Sequence, residues 1–370
     1  MTERFEGRLG IQQRVLPAYR AAFFDTLAAV CMKGLSVFAG QPLAVEGILP
    51  ATDMETARLS PARNLHLFNP ASPYYFCWQS GFLSWLEEWQ PEAMIVEANP
   101  RYPATGLAVR WMHKRGRKVL GWGLGAPVLS GMLACLRRWE RRSFLRSLDG
   151  VIAYSRRGAE EYKALGLPAE RVFVASNAVD PRPKSAPRER SVYFSGTPSI
   201  LFIGRLQERK RVDLLLQACA ELPDDIQPRL VIVGDGPARA GLEALAGEVY
   251  PRAEFVGARH GAELGPYFEQ ADLFVLPGTG GLAVQQAMTH ALPVIVAQGD
   301  GTQDDLVRPE NGWQIPADDL QALQAALGEA LSSAERLRQM GREAYRIVDE
   351  DVNLEAMAAS FVRALIQTTS

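Results

Sequence analysis

The chain has 370 residues, 47% of them hydrophobic and 22% charged, the balance of a folded, enzyme-sized protein rather than of a disordered one. Its 40 basic and 42 acidic residues leave a formal net charge of −2, so no global field recommends nucleic acid as a partner, and any charge preference must be local. A chain this long exceeds what one core usually supports, about 100–200 residues per domain, and two domains are expected.

The four cysteines, Cys31, Cys77, Cys135 and Cys219, show no CxxC spacing and read as reduced, buried thiols. The four histidines, His66, His113, His260 and His290, are not paired at ligand spacing, so neither a protein-held metal nor another cofactor is expected. The opening MTERFEGRLG lacks the basic start and apolar run of a signal peptide, and no stretch approaches the ~20 apolar residues of a membrane span. A cytoplasmic chain is the expectation.

Short apolar runs alternate with amphipathic stretches along the whole sequence, the pattern of βα units feeding parallel sheets. In the first half the pattern predicts strands at 34–38, 64–68, 93–97, 118–122, 150–154 and 172–175, with helices at 104–115 and 131–147. The second half repeats it with strands at 199–203, 229–233, 253–256, 273–276 and 293–296, and turns helical after Asp318. Between the halves, PRPKSAPRERSVYFSGTP at 181–198 carries four prolines and four basic residues and reads as a hinge-like linker. The expected fold class is α/β, with two Rossmann-like doubly wound domains: an N-terminal one over 1–180 and a C-terminal one over 199–350. Ligands of open α/β sheets bind beyond the carboxyl ends of the strands, which directs attention to those loops.

In SILFIGRLQERKRVDLLLQA a strand ends at Gly204, followed by Arg205, and a loop delivers Lys210 before an amphipathic helix. A planar guanidinium and a compact ammonium suit a diphosphate; a solvated basic turn, which Arg209 and Arg211 also fit, is the plain alternative. LVIVGDGPARAGLEALA runs from a strand through a Gly-Asp-Gly-Pro turn into a helix with Pro237 in its first turn. In ADLFVLPGTGGLAVQQAMTHALPVIVA a strand ends at Pro277, and Gly278, Thr279, Gly280 and Gly281 lead into a helix whose first amides would present positive partial charge to a phosphate.

Taken together, GRLxxxK, VGDGP, EFVG and ADLFVLPxxxxGLxxxxAMxxxLPVI resemble, in order and spacing, the C-terminal domain of the retaining family 4 glycosyltransferases, over about residues 198–345. The resemblance implies a GT-B fold, two Rossmann-like domains facing a central cleft, and a helix over 351–370 crossing back to the first domain. It also implies that Arg205 and Lys210 act on the diphosphate of a nucleotide-sugar. Gly204, the amides of Gly281, Leu282 and Ala283, and the 255–259 loop with Gly257 and Arg259 would complete the donor site. Two positions depart from the family pattern: Gly278 and Gln286 stand where two glutamates usually bind donor sugar and ribose.

In the first half, VLPAYRAAFFDTL at 15–27 resembles the acceptor-side entry of related transferases and makes Arg20 and Asp25 candidate acceptor residues. Phe23, Phe24 and Leu27 in the same stretch have the spacing of a buried helix face. VLGWGLGAP places Gly123 and Leu124 on the loop where similar enzymes often carry a histidine. The helix around CLRRWERRSFLRSLDG sets Arg137, Arg138, Arg141, Arg142 and Arg146 about Trp139 and Phe144, a pattern that fits either a peripheral contact with the inner membrane face or a solvated helix with its aromatics inward. The aromatic run at 74–89 reads as core, with lining of an acceptor groove by part of it as the alternative.

The implied activity is transfer of a sugar from a nucleotide-sugar to a hydroxyl on a glycan or lipid-linked acceptor, with retention of configuration. The alternative is a catalytically silent homologue serving as a partner or scaffold, which the substitutions at Leu124, Gly278 and Gln286 favour.

Overall fold

The computed structural model describes residues 3–70, 72, 74–127, 129, 131, 133–280, 282–299 and 301–369. The chain divides into two compact units, Met1–Pro181 together with Leu354–Ser370, and Arg182–Asn353.

In the first unit the elements run β1 (Leu9–Val15), α1 (Ala21–Ala28), β2 (Leu35–Gly40), β3 (Arg58–Pro61), β4 (Arg63–Leu67), β5 (Phe76–Ser80), α2 (Phe82–Trp89), β6 (Ala93–Glu97), α3 (Pro103–His113), β7 (Lys118–Gly123), α4 (Ala134–Arg146), β8 (Gly150–Ala153), α5 (Arg156–Ala164) and β9 (Val172–Val174). Seven of the strands form one parallel sheet in the order β3-β2-β1-β6-β7-β8-β9. The central strand β1, LGIQQRV, is not among the predicted strands, because Gln12, Gln13 and Arg14 break its apolar run. Gln12 and Gln13 are nevertheless buried, and the Gln12 amide satisfies itself by donating to Gln79 Oε1 at 2.5 Å.

The predicted strand at 64–68 exists as β4, but not in the parallel sheet. It pairs antiparallel with β5, Leu65 opposite Trp78 and Leu67 opposite Phe76. Of the cysteines expected to be buried, Cys31, Cys77 and Cys219 are, whereas Cys135 is exposed on α4.

Trp122 at the end of β7 anchors the core on one face of this sheet. Its ring lies 5.6 Å from Phe23, 6.1 Å from Phe24 and 5.1 Å from Phe361, spacings at which aromatic pairs attract. Phe361 belongs to the last helix of the chain (Leu354–Thr369), which is part of this first unit and starts where Leu354 N donates to Asp180 O at 3.1 Å.

The second unit continues with β10 (Ser199–Ile203), α6 (Val212–Ala220), β11 (Arg229–Val233), α7 (Arg239–Val249), β12 (Ala253–Gly257), α8 (Gly265–Gln270), β13 (Leu273–Leu276), α9 (Leu282–Thr289), β14 (Val294–Ala297), α10 (Thr302–Leu306), β15 (Gly312–Ile315), α11 (Leu320–Leu331) and α12 (Ala334–Glu350). Its six strands are all parallel, in the order β12-β11-β10-β13-β14-β15. The inner strands, such as SILFI and LFVL, are buried on both faces, which is why they read as continuous apolar runs rather than alternating ones.

Residues 182–198, read from composition as a hinge, lie within this second unit. Arg190 donates to the carbonyls of Phe268 at 2.8 Å and Glu269 at 3.2 Å, and also to that of Ala271. Arg338 holds Ser191 O at 2.8 Å while pairing with Asp272 at 2.6 Å, and Tyr345 donates to Ser185 O at 2.8 Å. Of the basic residues in the segment read as a hinge-like linker, Arg190 instead clamps it to backbone carbonyls. Among the described residues no helix is long and apolar enough to cross a membrane.

The aromatic cluster yields a stability test. Phe361 is fully buried, so Phe361→Ala should cost about 3–5 kcal/mol by the cavity it leaves. Denaturant unfolding should show a lower midpoint for the transition that loses the signal of Trp122; an unchanged midpoint would mean the helix does not close this core.

Candidate functional site

In the second unit, β10 carries the chain to the carboxyl edge of the sheet, where Gly204 and Arg205 follow. The Gly-Asp-Gly-Pro turn after β11 props this strand end: Gly204 N donates to Val233 O at 3.0 Å, Leu206 N to Asp235 O at 2.9 Å and Ala238 N to Leu206 O at 3.1 Å. Arg205 is exposed and has no hydrogen-bond or ion-pair partner among the described residues. Its guanidinium is thus available to a ligand.

Lys210 closes a short 3-10 turn, Glu208–Lys210, and the next residue, Arg211, adopts a left-handed backbone with φ 52°. That conformation costs a non-glycine residue on the order of 1 kcal/mol or more. It is held by the ion pair of Arg211 with Asp213 at 3.0 Å and by another with Asp318.

Lys210 Nζ donates to Thr279 O at 2.6 Å, and Thr279 N donates back across the same seam to Arg209 O at 3.0 Å. Arg209 adds a bond from Nη1 to Thr279 Oγ1 at 3.2 Å. Burial, with a smaller contribution from the neighbouring Arg209 charge, pulls the Lys210 ammonium down to about 8. A cation so desolvated gains from an anion placed beside it.

The seam explains Gly278. A Cβ there would overlap Arg209 O and lie within 2.6 Å of Lys210 backbone atoms. Backbone therefore already fills the place that a side chain at 278 would take. A Cβ at Gly280 would likewise overlap Lys210 Nζ. Gly280 O accepts from the buried Gln303 side chain at 2.7 Å, which fixes the far side of the turn.

Gly281 lies outside the described residues. Leu282 and Ala283 occupy the first turn of α9, Leu282 exposed and Ala283 half-buried, where backbone N–H groups lack intrahelical partners. Gln286 lies one turn on and is half-buried. Gly257 ends β12, its carbonyl accepting from Gly234 N at 2.9 Å, and exposed Arg259 donates to Ala258 O at 2.9 Å. Arg205, Lys210, Thr279, Leu282 and Gly257 all lie beyond the carboxyl ends of strands in one sheet. A pocket of about 390 Å³, lined by Arg209, Arg211, Gly278, Thr279, Gln298 and Asp318, opens at that edge.

The first unit distributes its candidates differently. Asp25 accepts from the backbone amides of Glu55 at 3.1 Å, Thr56 at 2.7 Å and Ala57 at 2.9 Å. Its carboxylate fastens a loop rather than standing open to an acceptor. Arg20 is buried, bonded to Asn177 Oδ1 at 2.5 Å, and lies 5.2 Å over the Trp122 ring; it too works in the interior.

Gly123 and Leu124, by contrast, line a pocket of about 510 Å³ at the carboxyl ends of β6 and β7, with Tyr74, Leu136, Arg137 and Glu97. Glu97 is a site residue the sequence reading missed. It accepts from Arg14 N at 2.5 Å, and burial pushes its carboxyl above the usual range despite that bond. Its signal was present: an acid ending the apolar strand AMIVE. Of the two α4 aromatics, Trp139 is 67% exposed, whereas Phe144 packs against the core.

Comparison with known proteins agrees with this architecture. Residues 197–333 match the family described as glycosyl transferases group 1, and residues 35–178 match the glycosyl transferase 4-like domain. The chain is 28% identical over 244 residues to a putative colanic acid biosynthesis glycosyltransferase of Salmonella typhimurium, covering 62% of this chain and 59% of the relative. It is 34% identical over 184 residues to a GDP-mannose-dependent alpha-mannosyltransferase of Mycobacterium tuberculosis, covering 47% and 46%. The matched region thus spans about half to three fifths of these curated relatives.

Among solved structures, Anabaena HepE in complex with UDP superposes with a TM-score of 0.72 at 16% identity, covering 97% of this chain and 99% of that one. A lipopolysaccharide outer core galactosyltransferase, WaaB, in its apo form gives 0.68 at 15%, with the same coverage. The fold is GT-B, with two Rossmann-like units. The chain belongs to the group 1 glycosyltransferases of the family 4 type.

Two outcomes test the site. Raising pH through about 8 removes the Lys210 charge, so affinity for a nucleoside diphosphate should be constant below that value and fall up to about tenfold per pH unit above it. Calorimetric titration across that range checks this, and in Lys210→Arg, which stays charged, the fall should vanish. Gly278→Glu, which installs the usual family residue, should break the seam and weaken diphosphate binding instead of improving it; tighter binding would show that the turn can open.

Proposed function

We propose that this chain transfers a sugar from a nucleotide-sugar to a hydroxyl group on a glycan or lipid-linked acceptor, with retention of anomeric configuration. The observation that carries the reading is the pair of cations after β10: Arg205 exposed and unpartnered among the described residues, and Lys210 desolvated at the glycine turn. When the bond between the sugar's anomeric carbon and the diphosphate oxygen breaks, negative charge grows on the leaving phosphate. Fixed donors in a partly dry site stabilise such charge far better than water does. The acceptor oxygen attacks from the face the diphosphate leaves, and its proton passes to a leaving phosphate oxygen. No side-chain base and no metal are required by this scheme.

The donor diphosphate would lie against the first amides of α9, with the loop at Gly257 and Arg259 toward the base and Gln286 bonding ribose hydroxyls. With Gly278 sealed by backbone, recognition of the donor sugar falls to main-chain groups of the turn. The acceptor would enter the first unit's pocket beside Gly123 and Leu124, where the Glu97 carboxyl, raised above its usual range by burial, stands among the lining residues. One named relative is a putative colanic acid biosynthesis glycosyltransferase and one structural neighbour a lipopolysaccharide outer core galactosyltransferase, so assembly of a surface glycan at the cytoplasmic membrane face, with α4 as the peripheral contact, is the setting we assign.

The second reading, a silent scaffold subunit, is favoured by one observation: Gly278 cannot be replaced by the usual glutamate without displacing Lys210. Thermal-shift titration with UDP- and GDP-sugars, followed by donor turnover, separates the two. The transferase reading expects stabilisation by one nucleotide class and measurable sugar release. It also expects Lys210→Ala to lose at least about 100-fold in turnover, the scale seen when one preorganised charge-stabilising donor is removed. No stabilisation by any nucleotide would establish the scaffold reading.

A further inference from the structure

Antiparallel ribbons on a protein surface normally turn polar side chains to water and apolar ones inward. The β4–β5 ribbon does the reverse. On its outward face Leu65 stands opposite Trp78 and Leu67 opposite Phe76, and Leu65, Leu67 and Trp78 are 46%, 61% and 41% exposed.

The inward face is polar and satisfied. Asn64 donates to Arg14 O at 2.8 Å and Gln41 O at 3.0 Å, His66 Nδ1 lies 2.8 Å from the Tyr75 hydroxyl, and Gln79 donates to Gln13 O at 3.0 Å. A slip of register by one residue would bury the leucines but break every one of these bonds. The apolar outer face is thus locked in place.

This face continues to α4. Phe68, 67% exposed, packs 6.5 Å from the Tyr74 ring, and the Arg137 guanidinium lies 6.0 Å from that same ring. On α4 itself Leu136 and Trp139 are exposed beside Arg137, Arg138, Arg141, Arg142 and Arg146, with Glu140 the sole acid of the helix. Tyr74 and Phe76, at the mouth of the ribbon, line the 510 Å³ pocket together with Leu136 and Arg137 from the helix. A contiguous apolar surface edged by arginines, on a chain whose net charge is −2, has the composition of a bilayer contact: aromatics and leucines for the acyl boundary, cations for anionic headgroups. A second copy is the poorer occupant, because two identical faces meeting about a two-fold axis would bring one arginine helix toward the other.

We infer that the outward face of the β4–β5 ribbon and the exposed face of α4 together dock the chain on an anionic lipid bilayer, so that the pocket between them opens at the membrane. The inference rests on the proposal that the acceptor is membrane-borne, and extends it from α4 to the ribbon.

The test is flotation of the full chain with phosphatidylcholine vesicles, with and without phosphatidylglycerol, alongside nucleotide titration. Wild type should partition to the anionic vesicles only, and both Leu65→Ser/Leu67→Ser and Arg138→Glu/Arg142→Glu should lower that partitioning at least about tenfold, with nucleotide affinity unchanged. Hydrogen exchange on the wild type should show residues 63–80 and 134–146 protected by vesicles, which settles the matter without any variant. Equal partitioning to neutral vesicles, none to either, wild-type partitioning by the leucine variant, or an unprotected ribbon would overturn it. So would a wild-type dimer that the leucine substitutions dissociate. Because nucleotide binding is read separately, its loss would count against the transferase reading and not against the membrane face.

Discussion

The second unit depends on one short seam between two loops. Lys210 donates to Thr279 O, Thr279 donates to Arg209 O, and no side chain fits at Gly278 because the strands of this seam touch. Two parallel strands, β10 and β13, are neighbours in the sheet, so the loops that follow them are brought side by side. The strained backbone at Arg211, tied down by two aspartates, then turns Lys210 toward the glycine turn instead of toward solvent. Electrostatics follow from that geometry: the ammonium is partly desolvated before any ligand arrives, and its bond to a neutral carbonyl is a poor substitute for a phosphate.

The same seam gives physical meaning to a departure from the family pattern. A glutamate at position 278 would need the space that Arg209 and Lys210 backbone atoms fill. Gly278 is thus part of a tightened loop, and not a hole where a side chain has been lost. On the proposed function, the consequence would be a donor site that holds diphosphate with side chains and meets the sugar with main chain.

Much of this was legible in the residues. The second unit's inner strands are buried on both faces, so continuous apolar runs marked 199–203, 229–233 and 273–276 at their observed bounds, and the basic loop after β10 stood out by position. The first unit was harder because its chemistry is inverted. β1 hides a strand behind two buried glutamines, one of which, Gln12, pairs with Gln79, distant in sequence, and β4 has the apolar content of a core strand but wears it on the outside. Asp25 shows the limit of residue type: an acid on a helix near a strand end suits an acceptor site, yet three backbone amides from a loop some thirty residues on claim it. Such partnerships are set by tertiary placement and leave no local trace.

The most direct measurement is a crystal structure of the chain with a nucleoside diphosphate sugar. The account requires the two phosphoryl groups to lie against Arg205 and Lys210, with Lys210 Nζ released from Thr279 O. A nucleotide bound elsewhere, or one seated at this edge while Lys210 keeps its carbonyl and Arg205 stays in water, would contradict it.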